Sequence, residues 1–138
     1  MNTAMLPALL CCVWIGAVIT ISFLEAPLKF RASGITLPLG LAVGRVVFQA
    51  LNRLEATLLL VAAVLAVPVG SEALVLLPAA AILSTQMLVL RPRLDRRAQR
   101  LIDGLTVSRS PLHLLYVAGE VLKLVALVTA TLVLGGAK

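Results

Sequence analysis

Ten of the chain's twelve lysines and arginines fall in two segments, residues 25–53 and 91–109, and nearly everything between and beyond them is hydrocarbon. A chain so divided has few folds open to it. An apolar helix of about 20 residues crosses a bilayer core of roughly 30 Å. At 61% hydrophobic residues and a mean hydropathy of +1.09 over 138 residues, the chain is more apolar than a domain of this length can be when its surface faces water. It reads as an integral membrane protein.

Four stretches are long and apolar enough, or nearly so, to span: residues 4–24, 51–69, 73–90 and 111–134. The expected fold class is all-α, a single domain over 1–138 forming a four-transmembrane-helix bundle. Two helical hairpins make the bundle, each with an amphipathic cytoplasmic extension in its basic linker. Pro68, Gly70 and Ser71 supply a turn between the second and third spans. Ser110 is placed to cap the fourth, with Pro111 at its first position, where the missing amide hydrogen costs nothing. An even number of spans puts both termini on one side and both basic linkers on the other. By the positive-inside tendency the linkers are cytoplasmic and the termini outside. Glu72 is the only charge between the middle spans, and Lys138 is the one flank at variance. The first span lacks a basic leading region and a small-residue cleavage motif, so it is expected to be retained.

The linkers carry pattern of their own. Leu94, Ala98, Leu101, Ile102 and Leu105 recur at helical spacing among Arg93, Arg96, Arg97 and Arg100. This suits either a helix at the membrane surface whose arginines meet anionic lipid headgroups, or a solvated charged loop. From Pro38 onward, Leu39, Val43, Val46, Val47, Leu51 and Leu54 are available for packing, so the second helix is expected to begin before its span. Gly40 and Gly44 form a small-xxx-small pair open to close helix approach.

A membrane tolerates few charges at depth, at about 2.5–3.5 kcal/mol each near the centre, and those that persist face a bundle interior or a wet cavity. On the fourth helix His113, Tyr116, Glu120 and Lys123 share an arc of about 80°, with Glu120 roughly 14 Å and Lys123 roughly 18 Å from the helix start. On the second, Arg45, Gln49, Asn52 and Glu55 lie within about 120°. Glu25, Thr85 and Gln86 come to the same depth from the first and third helices. Glu55 and Glu120 hold corresponding places in the two hairpins. The expected ligand or proton site is therefore Glu55, Glu120, Lys123, His113, Tyr116, Asn52 and Gln86, closed from the outer side by leucine, valine and alanine. The plainer reading is mutual neutralisation, with Glu120 paired to Lys123 and Glu25 to Arg53 or Arg45.

No cofactor or metal is expected. Cys11 and Cys12 are adjacent on a helix, point about 100° apart and cannot form an unstrained disulfide with each other. One histidine and two cysteines fall short of a structural zinc site. Phosphate-loop, nucleophile-elbow and HExxH motifs are missing. The net charge of +6 follows from topology and gives no case for nucleic acid.

The segments SFLEAPLKFRASGITLPLGLAVGRVVFQALNRLE and SPLHLLYVAGEVLKL, with Pro27 and Phe30 after the first span, Gly44 and Phe48 before the second and His113 opening the last, resemble an uncharacterised family of small bacterial four-helix integral membrane proteins. That family is distantly similar to a eukaryotic transmembrane group associated with drug resistance. The resemblance covers nearly the whole chain and implies a fold, with no activity to carry over.

Three functions fit these residues. In the first, a cytoplasm-facing polar pocket binds or transports a small polar ligand, a lipid headgroup or a proton, with transport calling for a homo-oligomer. The second is a structural or accessory subunit of a membrane complex. The third is a membrane enzyme acting on a quinone or lipid, with His113 or Tyr116 as proton donor.

Overall fold

A computed structural model describes residues 4–137, so the expectation resting on Lys138 lies outside the described residues. Those residues are helical, with no strand among them. The first helical run, Met5–Arg31, joins α1 (Met5–Val18), a π-helical stretch Ile19–Glu25, α2 (Ala26–Leu28) and a 3-10 turn Lys29–Arg31. The second, Leu37–Ile102, contains α3 (Leu37–Ala66), a 3-10 stretch Val67–Leu76, α4 (Leu77–Thr85), a π-helical stretch Gln86–Leu90 and α5 (Arg91–Ile102). The third is α6 (Leu112–Gly136). Each of the three runs is long and apolar enough to cross a membrane.

Local chemistry accounts for the breaks. Thr36, in extended conformation, accepts from the Leu39 N–H at 3.4 Å and starts α3 one residue before Pro38. The second long run is interrupted at Gly70, whose φ of 82° and ψ of −134° suit glycine alone. On either side of it Ala56, Leu60 and Ala63 share a groove with Ala73, Leu77 and Ala80, so the chain folds back on itself there. Gly104, at φ 77°, ends α5, and Leu105 falls outside that helix. Residues 91–102 are thus helix and not loop. Ser110 Oγ accepts from the Leu112 N–H at 3.3 Å, and α6 begins one residue later than its span was drawn.

The core forms where α1 packs against α3 and α6. Cys11, Trp14 and Val18 meet Leu58, Ala62 and Ala66, Ala79 and Leu83 of α4, and Leu127, Ala130 and Leu134. Cys12 lies on the exposed side of α1 and is free, as is the buried Cys11. The outer surface is apolar: Val46, Leu60, Leu88, Leu114 and Leu132 are all more than 60% exposed, while Glu55 and Lys123 are 0% and Glu120 is 1% exposed. Leucines outside and charges inside reverse the arrangement that water imposes and suit a hydrocarbon solvent.

The packing face of α3 differs from expectation. Leu39, Val43, Val46 and Leu54 are exposed, and Gln49 of the polar stripe is too. The buried face carries Gly40, Gly44, Leu51, Asn52, Glu55, Leu58, Ala62 and Ala66. In hydrocarbon the large apolar side chains gain nothing by facing inward, so small and polar residues take the interior.

Candidate functional site

The first run, α3, the π-helical stretch after α4, and α6 all contribute polar groups to a layer that the apolar core seals from below. On α6 the buried stripe Tyr116, Glu120, Lys123, Leu127, Ala130 and Leu134 follows helical spacing and changes from polar to apolar after Lys123. On α3 the same change occurs after Glu55. The two stripes meet. Lys123 Nζ lies 2.5 Å from Glu55 Oε1 and 2.8 Å from Glu120 Oε1, and donates to Gln86 Oε1 at 2.9 Å. All three ammonium hydrogens are thereby engaged. Trp14 Nε1 donates to Glu55 Oε1 at 2.8 Å. Gln86 Nε2 donates to Glu120 Oε1 at 2.8 Å and to the Tyr116 carbonyl at 3.3 Å. Ser22 Oγ donates to Glu120 Oε2 at 2.6 Å. Two carboxyl groups therefore share one ammonium in a layer that is buried within the helices.

Ser22 sits within the first π-helical stretch and Gln86 opens the second. Such turns are rare and gather at functional sites. At Gly119 an added Cβ would lie 2.9 Å from Gln86 Nε2, so a bare backbone there leaves the amide room to reach Glu120 and Lys123.

Above this cluster opens a cavity of about 470 Å³, within the range of small-molecule sites. Glu120, Ser22 and Tyr116 line it where it meets the buried layer, and Phe23, Leu41, Leu94 and Val117 contribute apolar wall. Three cations, Lys29, Arg45 and Arg91, also line it. Lys29 Nζ stands 5.7 Å from the Phe30 ring centre and 5.6 Å from that of Phe48, and the Arg91 guanidinium carbon 4.9 Å from the latter. Lys29 pairs with Glu25 at 3.3 Å, and Arg91 with Asp95 at 3.0 Å. Arg45 is 4.0 Å from Asp95 and donates to Gln99. Among the lining residues these three cations stand against Asp95 and Glu120, an excess of one positive charge.

Of the expected site residues, Glu55, Glu120, Lys123 and Gln86 form one hydrogen-bonded cluster. Tyr116 and His113 line the cavity with Glu120, and His113 is itself exposed. Asn52 is buried one turn from Glu55. Thr85 is exposed and bonds the Ala81 carbonyl. Glu25 pairs with Lys29, one turn along its own helix, and not with Arg53 or Arg45, because Arg45 is drawn to α5. Gly40 and Gly44 make no helix seam: an added Cβ would strike the Phe30 ring at the first and Lys29 Nζ at the second, so they make room for side chains lining the cavity. Arg93, Arg96 and Arg100 are exposed, Arg97 is half-buried, and none lines the cavity. Of the cavity's cations the sequence singled out Arg45, in the polar stripe of the second helix, and not Lys29 or Arg91, nor were Trp14 and Ser22 singled out. A signal existed for Lys29, one turn from Glu25. Trp14 and Ser22 sit in an apolar run with nothing to mark them. Pro27, Phe30, Gly44, Phe48 and His113, far apart in sequence, all line this one cavity.

Comparison with family models, with curated proteins and with solved structures gave no match.

Proposed function

We propose that this chain is a four-span protein of the bacterial inner membrane that holds a small anionic amphiphile, of the lipid-headgroup kind, in the cavity above Glu120. Length supports four spans. Residues 37–102 would measure about 99 Å as one straight helix, about three times a bilayer core, and the break at Gly70 divides them into two spans of workable length. The basic linkers then share the cytoplasmic side, with the cavity opening toward it and both termini outside. Arg93, Arg96 and Arg100 face anionic headgroups there. Membership of the small four-helix family rests on Pro27, Phe30, Gly44, Phe48 and His113.

The observation that carries the reading is the cavity's lining: three cations with one charge in excess, set among phenylalanine, leucine and valine. An anionic head meets Lys29, Arg45 and Arg91 while an acyl or prenyl body meets the wall. Cations beside an apolar wall suit holding such a ligand, so binding is the activity proposed. Transport of the ligand would require partner copies.

Native mass spectrometry of the protein released from nanodiscs tests this. Retention of phosphatidylglycerol over phosphatidylcholine is expected, falling at least tenfold when Arg45→Gln and Arg91→Gln are combined. Glycerol phosphate in solution, if it competes, assigns the affinity to the head alone. Equal retention of both lipids, or no change in the double variant, would overturn the proposal.

A further inference from the structure

Charge and hydrogen bonding in the buried layer leave the same gap. With both carboxyls ionised, Glu55, Glu120 and Lys123 sum to one net negative charge in a site that is at most 1% exposed. An uncompensated charge there is expensive, and such groups neutralise instead. The two carboxyls are not equivalent. Glu120 receives Lys123 and Gln86 on Oε1 and Ser22 on Oε2, the environment of an anion. Glu55 receives Trp14 and Lys123 on Oε1 alone, and its Oε2 is buried with no hydrogen-bond partner among the described residues. Asn52 Oδ1 is likewise buried and without one. Asn52 and Glu55 are three apart on α3, the spacing that makes side chains neighbours. Each of the two oxygens lacks a hydrogen, and the i, i+3 spacing lets one hydrogen serve both.

We infer that Glu55 carries a resident proton on Oε2, donated to Asn52 Oδ1, which makes the Glu55–Lys123–Glu120 cluster a neutral one-proton site beneath the cavity. One proton balances the charge and satisfies both orphaned oxygens. The groups facing the site are Trp14 and Ser22 from the first run, Asn52 from α3, Gln86 from the π-helical stretch after α4, and Tyr116 from α6. None of these carries a charge near neutral pH. Lys29, Arg45, Arg91, Asp95 and His113 stand at the cavity, which Glu120 lines and Glu55 does not. Tyr116 lines the cavity too, and its ring packs edge-on at 5.8 Å against Phe48, one turn from Asn52. Its hydroxyl is also buried with no hydrogen-bond partner among the described residues. This inference is independent of which ligand the cavity holds.

Infrared spectroscopy of the reconstituted protein at neutral pH reads the proton through the carbonyl stretch of a neutral carboxyl. The other four acidic residues, Glu25, Glu72, Asp95 and Asp103, lie outside the cluster. One such band is expected in the wild type. Glu55→Gln, which keeps the shape and the donor of the protonated acid, abolishes it. Glu120→Gln abolishes it as well, because Glu55 then ionises to balance Lys123. Lys123→Met doubles it. Asn52→Leu shifts its frequency by removing the acceptor, whereas a proton on Glu120 would not respond. A wild type without the band, a band surviving Glu55→Gln, or one indifferent to Asn52→Leu would overturn the inference. A band surviving Glu55→Gln refutes the inference alone, and Asn52→Leu by itself assigns the proton to Glu55 or away from it, so misfolding of the Lys123 variant leaves it open to refutation.

Discussion

Lys123→Met removes the cation that holds the polar groups of the buried layer together. The methionine fills similar volume but donates nothing, so Gln86 Oε1 loses its hydrogen bond and both glutamates lose their charged donor. Three bonds to charged groups, at about 1.5–3 kcal/mol each, set the upper scale of the damage. A smaller route is open, because a proton can replace the lost charge. Holding a second carboxyl neutral at pH 7, against an ordinary carboxyl value of about 4.3, costs about 3.7 kcal/mol. The expected loss is therefore about 4 kcal/mol, within the range seen when a buried pair is broken from one side. The folded variant holds a proton that the unfolded chain releases at neutral pH, so its stability rises as pH falls. The deficit should shrink by about 1.4 kcal/mol per unit between pH 7 and pH 5. Trp14 is the chain's single tryptophan and bonds Glu55, so its fluorescence during titration from mild detergent into dodecyl sulfate reports on the cluster. Adding Glu55→Gln and Glu120→Gln to Lys123→Met should restore most of the stability by removing the charges altogether. A loss below about 1 kcal/mol, or one that ignores pH, would refute the reasoning.

Gly119→Ala places a Cβ against Gln86 Nε2 and should cost about 1–3 kcal/mol by displacing that amide from Glu120, measured by the same titration. Leu127→Ala, in the sealed apolar layer, should cost about 2–5 kcal/mol while leaving the infrared band of the cluster in place. In a background of Cys11→Ala and Cys12→Ala, a membrane-impermeant maleimide should label Glu72→Cys in intact cells and Ser108→Cys only after the membrane is opened. Equal labelling of both positions would contradict four spans with cytoplasmic linkers.

The helical class was legible because it depends on quantities a sequence carries directly: run length, hydropathy and the confinement of arginine to two segments. The stripes on α3 and α6 were legible for the same reason, since helical spacing fixes which side chains share a face. His113, Tyr116, Glu120 and Lys123 do share one. Which way that face turns is another matter. On α3 the large apolar residues from Leu39 to Leu54 were assigned to packing, as they would be in water, yet most of them lie on the surface. Hydropathy alone does not distinguish inside from outside when the solvent is itself apolar.

What the sequence determined by itself is the helical architecture and the identity of the pair Glu120 and Lys123, because these follow from hydropathy and from spacing along one helix. Only the tertiary structure decided who meets them. Trp14 is 41 residues from Glu55 and Ser22 is 98 from Glu120, and no local pattern marks either contact. The cavity belongs to the same category, since its cations come from the first run, α3 and α5, each of which turned toward it only when the helices packed. The unpaired oxygens of Glu55 and Asn52 became visible last, because a missing partner can be recognised only after every neighbour has been placed.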